Sequence, residues 1–198
     1  MQAQSQNRKL ILASSSPYRK LLLQRLCQDF TVIAPSIDET PRPEEPHSGL
    51  VARLAREKAI AISEQHPGAL VIGSDQLALF ERRMIGKPGS TGNAVRQLRR
   101  FSGNCVQFIT AVALNCIESG FFAASVVVTD VCFRELSESE IQRYVALDHP
   151  VDCAGGFKSE AAGSALLKSM RSDDPSAIIG LPLISLAAML REAGHQIP

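Results

Sequence analysis

The sequence predicts an α/β fold: a mixed twisted sheet with helices on both sides, arranged as two lobes around a deep cleft. Two observations carry this expectation. Short apolar runs rich in branched residues alternate with segments of helical period, the pattern of a sheet covered by helices. Two long β-type runs, 106–117 and 121–136, are separated only by Glu118-Ser119-Gly120, a turn that makes them an antiparallel ribbon inside an otherwise crossover-linked sheet. No linker divides the 198 residues, so the whole chain is expected to form a single two-lobed domain, with residues 1–7 a loose extension.

Taken in order, residues 9–13 read as a buried strand. In Ser14-Ser15-Ser16-Pro17, Ser16 can cap a helix with Pro17 at its first position, and Leu21, Leu22 and Leu26 then repeat at helical spacing. Residues 30–34 form a second strand, and prolines 35, 41, 43 and 46 make the next stretch an extended loop. Residues 50–65 form a helix with Leu50, Leu54, Ala55, Ala59 and Ile62 on one face. The strand 69–72 runs into Gly73-Ser74-Asp75-Gln76 and extends through 77–80 to a hairpin turn at 81–84. Residues 91–101 are a second amphipathic helix. Beyond the ribbon, Ser137-Glu138-Ser139-Glu140 is a capping box that opens a helix to Leu147. Residues 154–160 read as a flexible glycine loop. Residues 176–180 and 183–193 read as helices split by Pro182.

Composition excludes several functions. Lys and Arg total 21 against 20 Asp and Glu, a net charge of +1, which gives no footprint for duplex nucleic acid. With no Trp and two Tyr, a stacking platform for single strands is not expected. No apolar run approaches the ~18 residues of a membrane span, and residues 1–7 lack the apolar core of a signal peptide. The five cysteines include no C-x-x-C pair and their number is odd. Neither a zinc site nor a disulfide is expected, and reduced, mostly buried thiols fit a cytoplasmic protein.

The chemistry-bearing residues lie at the ends of these elements. Asp75 ends an apolar strand, where α/β sheets place their ligands, and could hold a metal or take a proton from water. Read alone, it could equally be a turn residue that caps the next segment. Ser14, Ser15 and Ser16 precede a helix N-terminus that offers free amides, with Arg19 in its first turn, and together these could seat a phosphate. A plain helix cap is the alternative. Glu39, in the acidic loop Asp38-Glu39-Thr40, could join Asp75 in binding a hard divalent cation, or it could be solvated. Lys58 on the long helix and Lys87 in the stiff turn Gly86-Lys87-Pro88 suit phosphate oxygens, although surface solvation explains either one alone. The histidines form no constellation. G-x-x-x-x-G-K-[ST], G-x-G-x-x-G and G-x-S-x-G are all missing.

Together these segments resemble the Maf family of nucleotide pyrophosphatases. The likeness runs through Leu10-Ile11-Leu12-Ala13-Ser14-Ser15-Ser16-Pro17, Asp38-Glu39-Thr40, Arg56-Glu57-Lys58-Ala59, Gly73-Ser74-Asp75-Gln76, Gly86-Lys87-Pro88, Ser102-Gly103, Ala154-Gly155-Gly156 and Gly180-Leu181-Pro182. It implies a Maf/inosine-triphosphatase-like fold and metal-dependent hydrolysis of a nucleoside triphosphate to monophosphate and pyrophosphate. Mg²⁺ or Mn²⁺ would serve as the metal, and a cytoplasmic homodimer as the working form. Asp75 takes the place of the family's proton acceptor. Ser14, Ser16, Arg19, Lys58 and Lys87 take its phosphate contacts, and Glu39 joins Asp75 at the metal. Tyr18, Gln76 and Glu160 fall where branches of the family differ in substrate. The segment 153–160 is similar to the branch acting on 7-methyl-GTP, which often carries Trp where this chain has Tyr18. A broader or pyrimidine (dTTP/UTP) house-cleaning pyrophosphatase, or a nucleotide-binding regulator of cell division, is the alternative.

Overall fold

The computed structural model describes residues 8–198, so the expected 1–7 extension lies outside the described residues. The strands are β1 (Leu10–Ala13), β2 (Thr31–Ile33), β3 (Leu70–Phe80), β4 (Arg83–Ile85), β5 (Cys105–Cys116), β6 (Phe121–Phe133) and β7 (Leu167–Ser172). The helices are α1 (Pro17–Leu23), α2 (His47–Ser63), α3 (Thr91–Phe101), α4 (Glu138–Asp148) and α5 (Leu183–Glu192). All seven strands join one sheet in the order β2-β1-β3-β5-β6-β7, with β4 pairing β3. β2, β1 and β3 are parallel, and every other pairing is antiparallel, so the sheet is mixed.

Side chains alternate across the strands and divide the core between two faces. Ile11, Ala13, Val71, Ile109, Ala111 and Ala113 face α2. Leu10, Leu12, Leu70, Ile72, Val112 and Leu114 face α1 and α5. Further along this second face, Ala78, Phe80, Val106, Phe108, Val131 and Phe133 form a third cluster under α3 and α4. The long strands β3 and β5 therefore run from one packed region into another.

Pairing along one side of β3 is interrupted. β1 pairs as far as Ala13 opposite Gly73, and pairing with β4 starts only at Ala78, opposite Ile85. Ser74–Leu77 (74–77) has no strand beside it there, and the cleft opens at this gap.

Most expected elements form, with physical reasons for the differences. α2 begins at His47 because Pro46, at φ −64° and ψ 147°, turns the extended loop directly into the helix. β7 was not legible because LKSMRS is a largely exposed edge strand with no apolar alternation. The 176–180 segment is a short 3₁₀ turn, Ala177–Ile179. The glycine loop is a packed turn, which corrects the expectation of flexibility. Gly155 and Gly156 are buried at φ 69° and 65°, and a Cβ on Gly155 would meet Phe108 at 2.8 Å.

A second correction concerns the thiols. Cys105 and Cys132 stand opposite each other in the β5–β6 register, with Cα atoms 4.0 Å apart, and form a disulfide. Counting cysteines missed this because the pairing comes from strand register, not from a C-x-x-C spacing. Cys116 is buried, and Cys27 and Cys153 are half-buried; all three are free.

One close approach fixes the site. A Cβ on Gly73 would lie 2.0 Å from the Ala55 carbonyl oxygen and 2.7 Å from the Ala59 nitrogen, so the α2 backbone rests directly on β3. Gly73→Ala is expected to cost about 3 kcal/mol and lower Tm by roughly 10 °C. A thermal melt within 2 °C of the parent would contradict this packing.

Candidate active site

The cleft has a volume of about 420 Å³ and is lined by groups from several elements, including Ser14, Ser16, Tyr18, Arg19, Glu39, Lys58, Asp75, Gln76, Lys87 and Glu160. Every residue singled out from the sequence therefore reaches one cavity.

Lys58 lies at its centre. The spacing of α2 puts it on the apolar stripe with Leu54, Ala55, Ala59 and Ile62, and it is buried. A buried ammonium needs opposite charge. Its Nζ lies 2.7 Å from Asp75 Oδ1 and 2.7 Å from Glu39 Oε1. The bond to Asp75 uses Oδ1, and Oδ2 has no protein hydrogen-bond partner among the described residues. Asp38 turns away, accepting the Thr40 amide at 2.9 Å, so Glu39 alone carries the acidic loop into the cleft.

The serine turn organises Arg19. Ser14, buried, accepts the Ser16 amide at 3.1 Å and Arg19 Nη1 at 3.5 Å, and Ser16 caps α1 by accepting the Arg19 amide at 3.4 Å. Arg19 Nε donates to the Gly180 carbonyl at 2.8 Å. Burial lowers the guanidinium from its ordinary value, while the carboxylates of Asp75 and Glu39 oppose the shift. The two carboxylates that pair with Lys58 therefore also act on Arg19.

Gln76 is more than a cleft residue. Its amide nitrogen lies 2.9 Å from Thr110 Oγ1 and 2.8 and 3.0 Å from the carbonyls of Ala177 and Ile178. It therefore fixes the turn that delivers Gly180 to Arg19. Two positioning residues on this path were missed from sequence. Buried Ser74 has its hydroxyl 2.7 Å from the Ala111 carbonyl and 2.9 Å from that of Gly180. Asp174, also buried, accepts the Ser176 hydroxyl at 2.6 Å and amide at 3.1 Å, and the Ile184 amide at 2.7 Å. It ties the start of α5 to the same turn. The signal for Asp174 was an acid nine residues before a helix that has Pro182 at its cap and no side-chain cap bond of its own.

At another part of the cleft, the Tyr18 hydroxyl donates to the Asp152 carboxylate, and Glu160 is exposed with Ser159 Oγ 3.4 Å from it. Burial, then Cys153 and Asp152, raises Tyr18 above its ordinary range, so it stays a neutral donor. Lys87 is exposed beside buried Pro88.

Among the described residues, no group of three or more His, Cys, Asp or Glu is placed to hold a metal ion. Glu39 and Asp75 do approach one cationic centre together, and Mg²⁺ commonly takes only one or two protein carboxylates, with phosphate and water completing its shell. The donor set fits a divalent ion that arrives with a polyphosphate.

A family model described as Maf-like protein matches residues 9–193, and the chain belongs to the Maf family. Curated relatives include proteins named 7-methyl-GTP pyrophosphatase. That of Aromatoleum aromaticum is 50% identical over 96% of this chain and 98% of its own. Those of Polaromonas sp. and Alkalilimnicola ehrlichii are each 48% identical over 95% of this chain, covering 86% and 94% of their own. A solved structure, the Staphylococcus aureus Ham1 protein, covers 94% of this chain and 100% of its own at TM-score 0.47 and 14% identity, a likeness too remote to bear weight. No described helix is long and apolar enough to cross a membrane.

Lys58→Met leaves two carboxylates facing each other without their shared cation. Breaking a fully buried pair costs several kcal/mol, but Glu39 is 59% exposed, so the expected loss is about 2 kcal/mol. A Tm about 6 °C lower is expected; an unchanged Tm would show that the pair contributes nothing to the fold.

Proposed function

We propose that the protein is a nucleoside triphosphate pyrophosphatase that converts 7-methyl-GTP to 7-methyl-GMP and pyrophosphate. The observation that carries this reading is Asp75, delivered into the cleft by β3 and held by Lys58 2.7 Å away. Membership of the Maf family and relatives of that name at up to 50% identity support it.

The chain's own groups account for the steps. Asp75 takes a proton from water as the water oxygen bonds to the α-phosphorus. The bond from that phosphorus to the oxygen bridging to the β-phosphate breaks, and pyrophosphate leaves. Arg19, Lys58 and Lys87 meet the triphosphate's charge, and the Ser14–Ser16 turn sets Arg19. This is catalysis by positioning and preorganised charge, with no covalent intermediate. Glu39 and Asp75 would hold Mg²⁺ or Mn²⁺, whose chemistry is to neutralise phosphate oxygens.

The base end fits a cationic purine. N7-methylation gives guanine a delocalised positive charge, which an aromatic face such as Tyr18 attracts. Glu160 can accept hydrogen bonds from the guanine N1–H and exocyclic amine. The same reading makes the working form a cytoplasmic homodimer, on the strength of the family resemblance.

Asp75→Asn is expected to keep the fold and lose about 10²–10⁴-fold in kcat; near-normal turnover would remove Asp75 from its role. In parallel assays of pyrophosphate release, kcat/KM is expected to be highest for 7-methyl-GTP among 7-methyl-GTP, GTP, dTTP and UTP. A preference for dTTP or UTP would make the enzyme a pyrimidine pyrophosphatase. Release from none of them would leave a nucleotide-binding role.

A further inference from the structure

The base end of the cleft holds an acid with no role so far. Asp152 is exposed and lines the cavity with Tyr18, Cys153 and Glu160. Its carboxylate is built into place. The Tyr18 hydroxyl lies 3.1 Å from Oδ2 and 3.3 Å from Oδ1, and the Cys153 thiol donates to Oδ1 at 3.5 Å. The elements that meet here are far apart in sequence: Tyr18 is in α1, and Asp152 follows α4.

A cation already sits beside this group. Lys158 Nζ is 5.8 Å from the centroid of the Tyr18 ring and donates to the Asp148 carbonyl at 2.9 Å, and Lys158 is not among the residues lining the cleft. A positively charged base stacked near Tyr18 would be repelled by that ammonium. A carboxylate within hydrogen-bond reach of the Tyr18 hydroxyl offsets this repulsion, and a second carboxylate, Glu160, lines the same cavity. A neutral base gains little from such an arrangement, because the field acts on its net charge.

We infer that Asp152 is a specificity residue of the base subsite, pinned by Tyr18 and Cys153 so that its carboxylate favours a purine carrying a positive charge over the neutral purine of the same shape. The carboxyl is suited to this. Burial pushes it up, but the Tyr18 and Cys153 hydrogen bonds and the nearby charge of Lys158 outweigh that and hold it below its ordinary value. Asp152 is therefore an anion at neutral pH. The inference rests on the proposed preference for 7-methyl-GTP.

The test is the ratio of kcat/KM for 7-methyl-GTP to that for GTP, measured on the full-length parent and on the Asp152→Asn and Asp152→Ser variants. Asn keeps the size and an acceptor for Tyr18 but removes the charge; Ser provides a second variant should Asn fold poorly. The ratio is expected to fall about threefold to fivefold, the size of one partly screened charge interaction, with the loss mainly in KM for 7-methyl-GTP. A fall of at least threefold in either folded variant supports the role. Any smaller change, including equal losses on both substrates, overturns it and leaves Asp152 as a structural partner of Tyr18. A parent enzyme that does not favour 7-methyl-GTP over GTP would instead sink the proposed substrate, and this inference with it.

Discussion

Lys58 is buried because α2 rests its backbone on β3 at Gly73, and a buried ammonium must find carboxylates. It finds Asp75 at the open stretch of β3 and Glu39 on the proline-rich loop. That three-way contact joins helix, strand and loop, and the rest of the cleft is arranged around it. Without the glycine, the helix would stand off the sheet and the lysine would lose its reach. Without the lysine, two acids would share a confined space with no shared cation. Packing and charge therefore cannot be separated here.

The gap in pairing beside Ser74–Leu77 (74–77) explains why an active site can exist at that point in a sheet. β1 stops, β4 has not begun, and the unpaired side of the strand is left to the serine turn and the loops. The far wall is fixed from behind. Asp174 ties the start of α5 to the Ala177–Ile179 turn, Gln76 and Ser74 bind that turn to the sheet, and its Gly180 carbonyl receives Arg19. Arg19 is thus aimed by a chain of hydrogen bonds that runs back to the sheet and to α5. Such preorganisation is what phosphoryl chemistry asks of a protein.

Much of this was legible in the sequence, for identifiable reasons. The long strands and helices announce themselves by period, and the capping box at Ser137 and Glu140 is seen in both its hydrogen bonds. Each candidate site residue lies in the one cleft, because the ends of strands are where the loops converge. The burial of Lys58 could also have been read, since it falls on the apolar stripe of α2 between Ala55 and Ile62. What stayed hidden depended on tertiary contact. The Cys105–Cys132 bridge needs the register of β5 on β6, which a one-residue change in the turn would undo. β7 has no pattern because an edge strand need not have one. The glycine turn looked flexible because sequence does not show Phe108 packed against Gly155. Gln76 lines the cleft as expected, and what the sequence did not show is that its amide nitrogen also holds the Ala177–Ile179 turn.

Charge is distributed around the cleft in keeping with a polyphosphate attached to a cationic base. Arg19, Lys58 and Lys87 offer cations, Asp75 and Glu39 share one of them, and Asp152 and Glu160 add negative charge where Tyr18 presents its ring. The most direct measurement is a crystal structure of the protein with Mg²⁺ and an α,β-nonhydrolysable analogue of 7-methyl-GTP. The account expects the triphosphate among Arg19, Lys58 and Lys87, with a water between Asp75 and the α-phosphorus, within ~3 Å of the carboxylate. A triphosphate bound elsewhere, or one whose α-phosphorus is out of reach of Asp75, would contradict it.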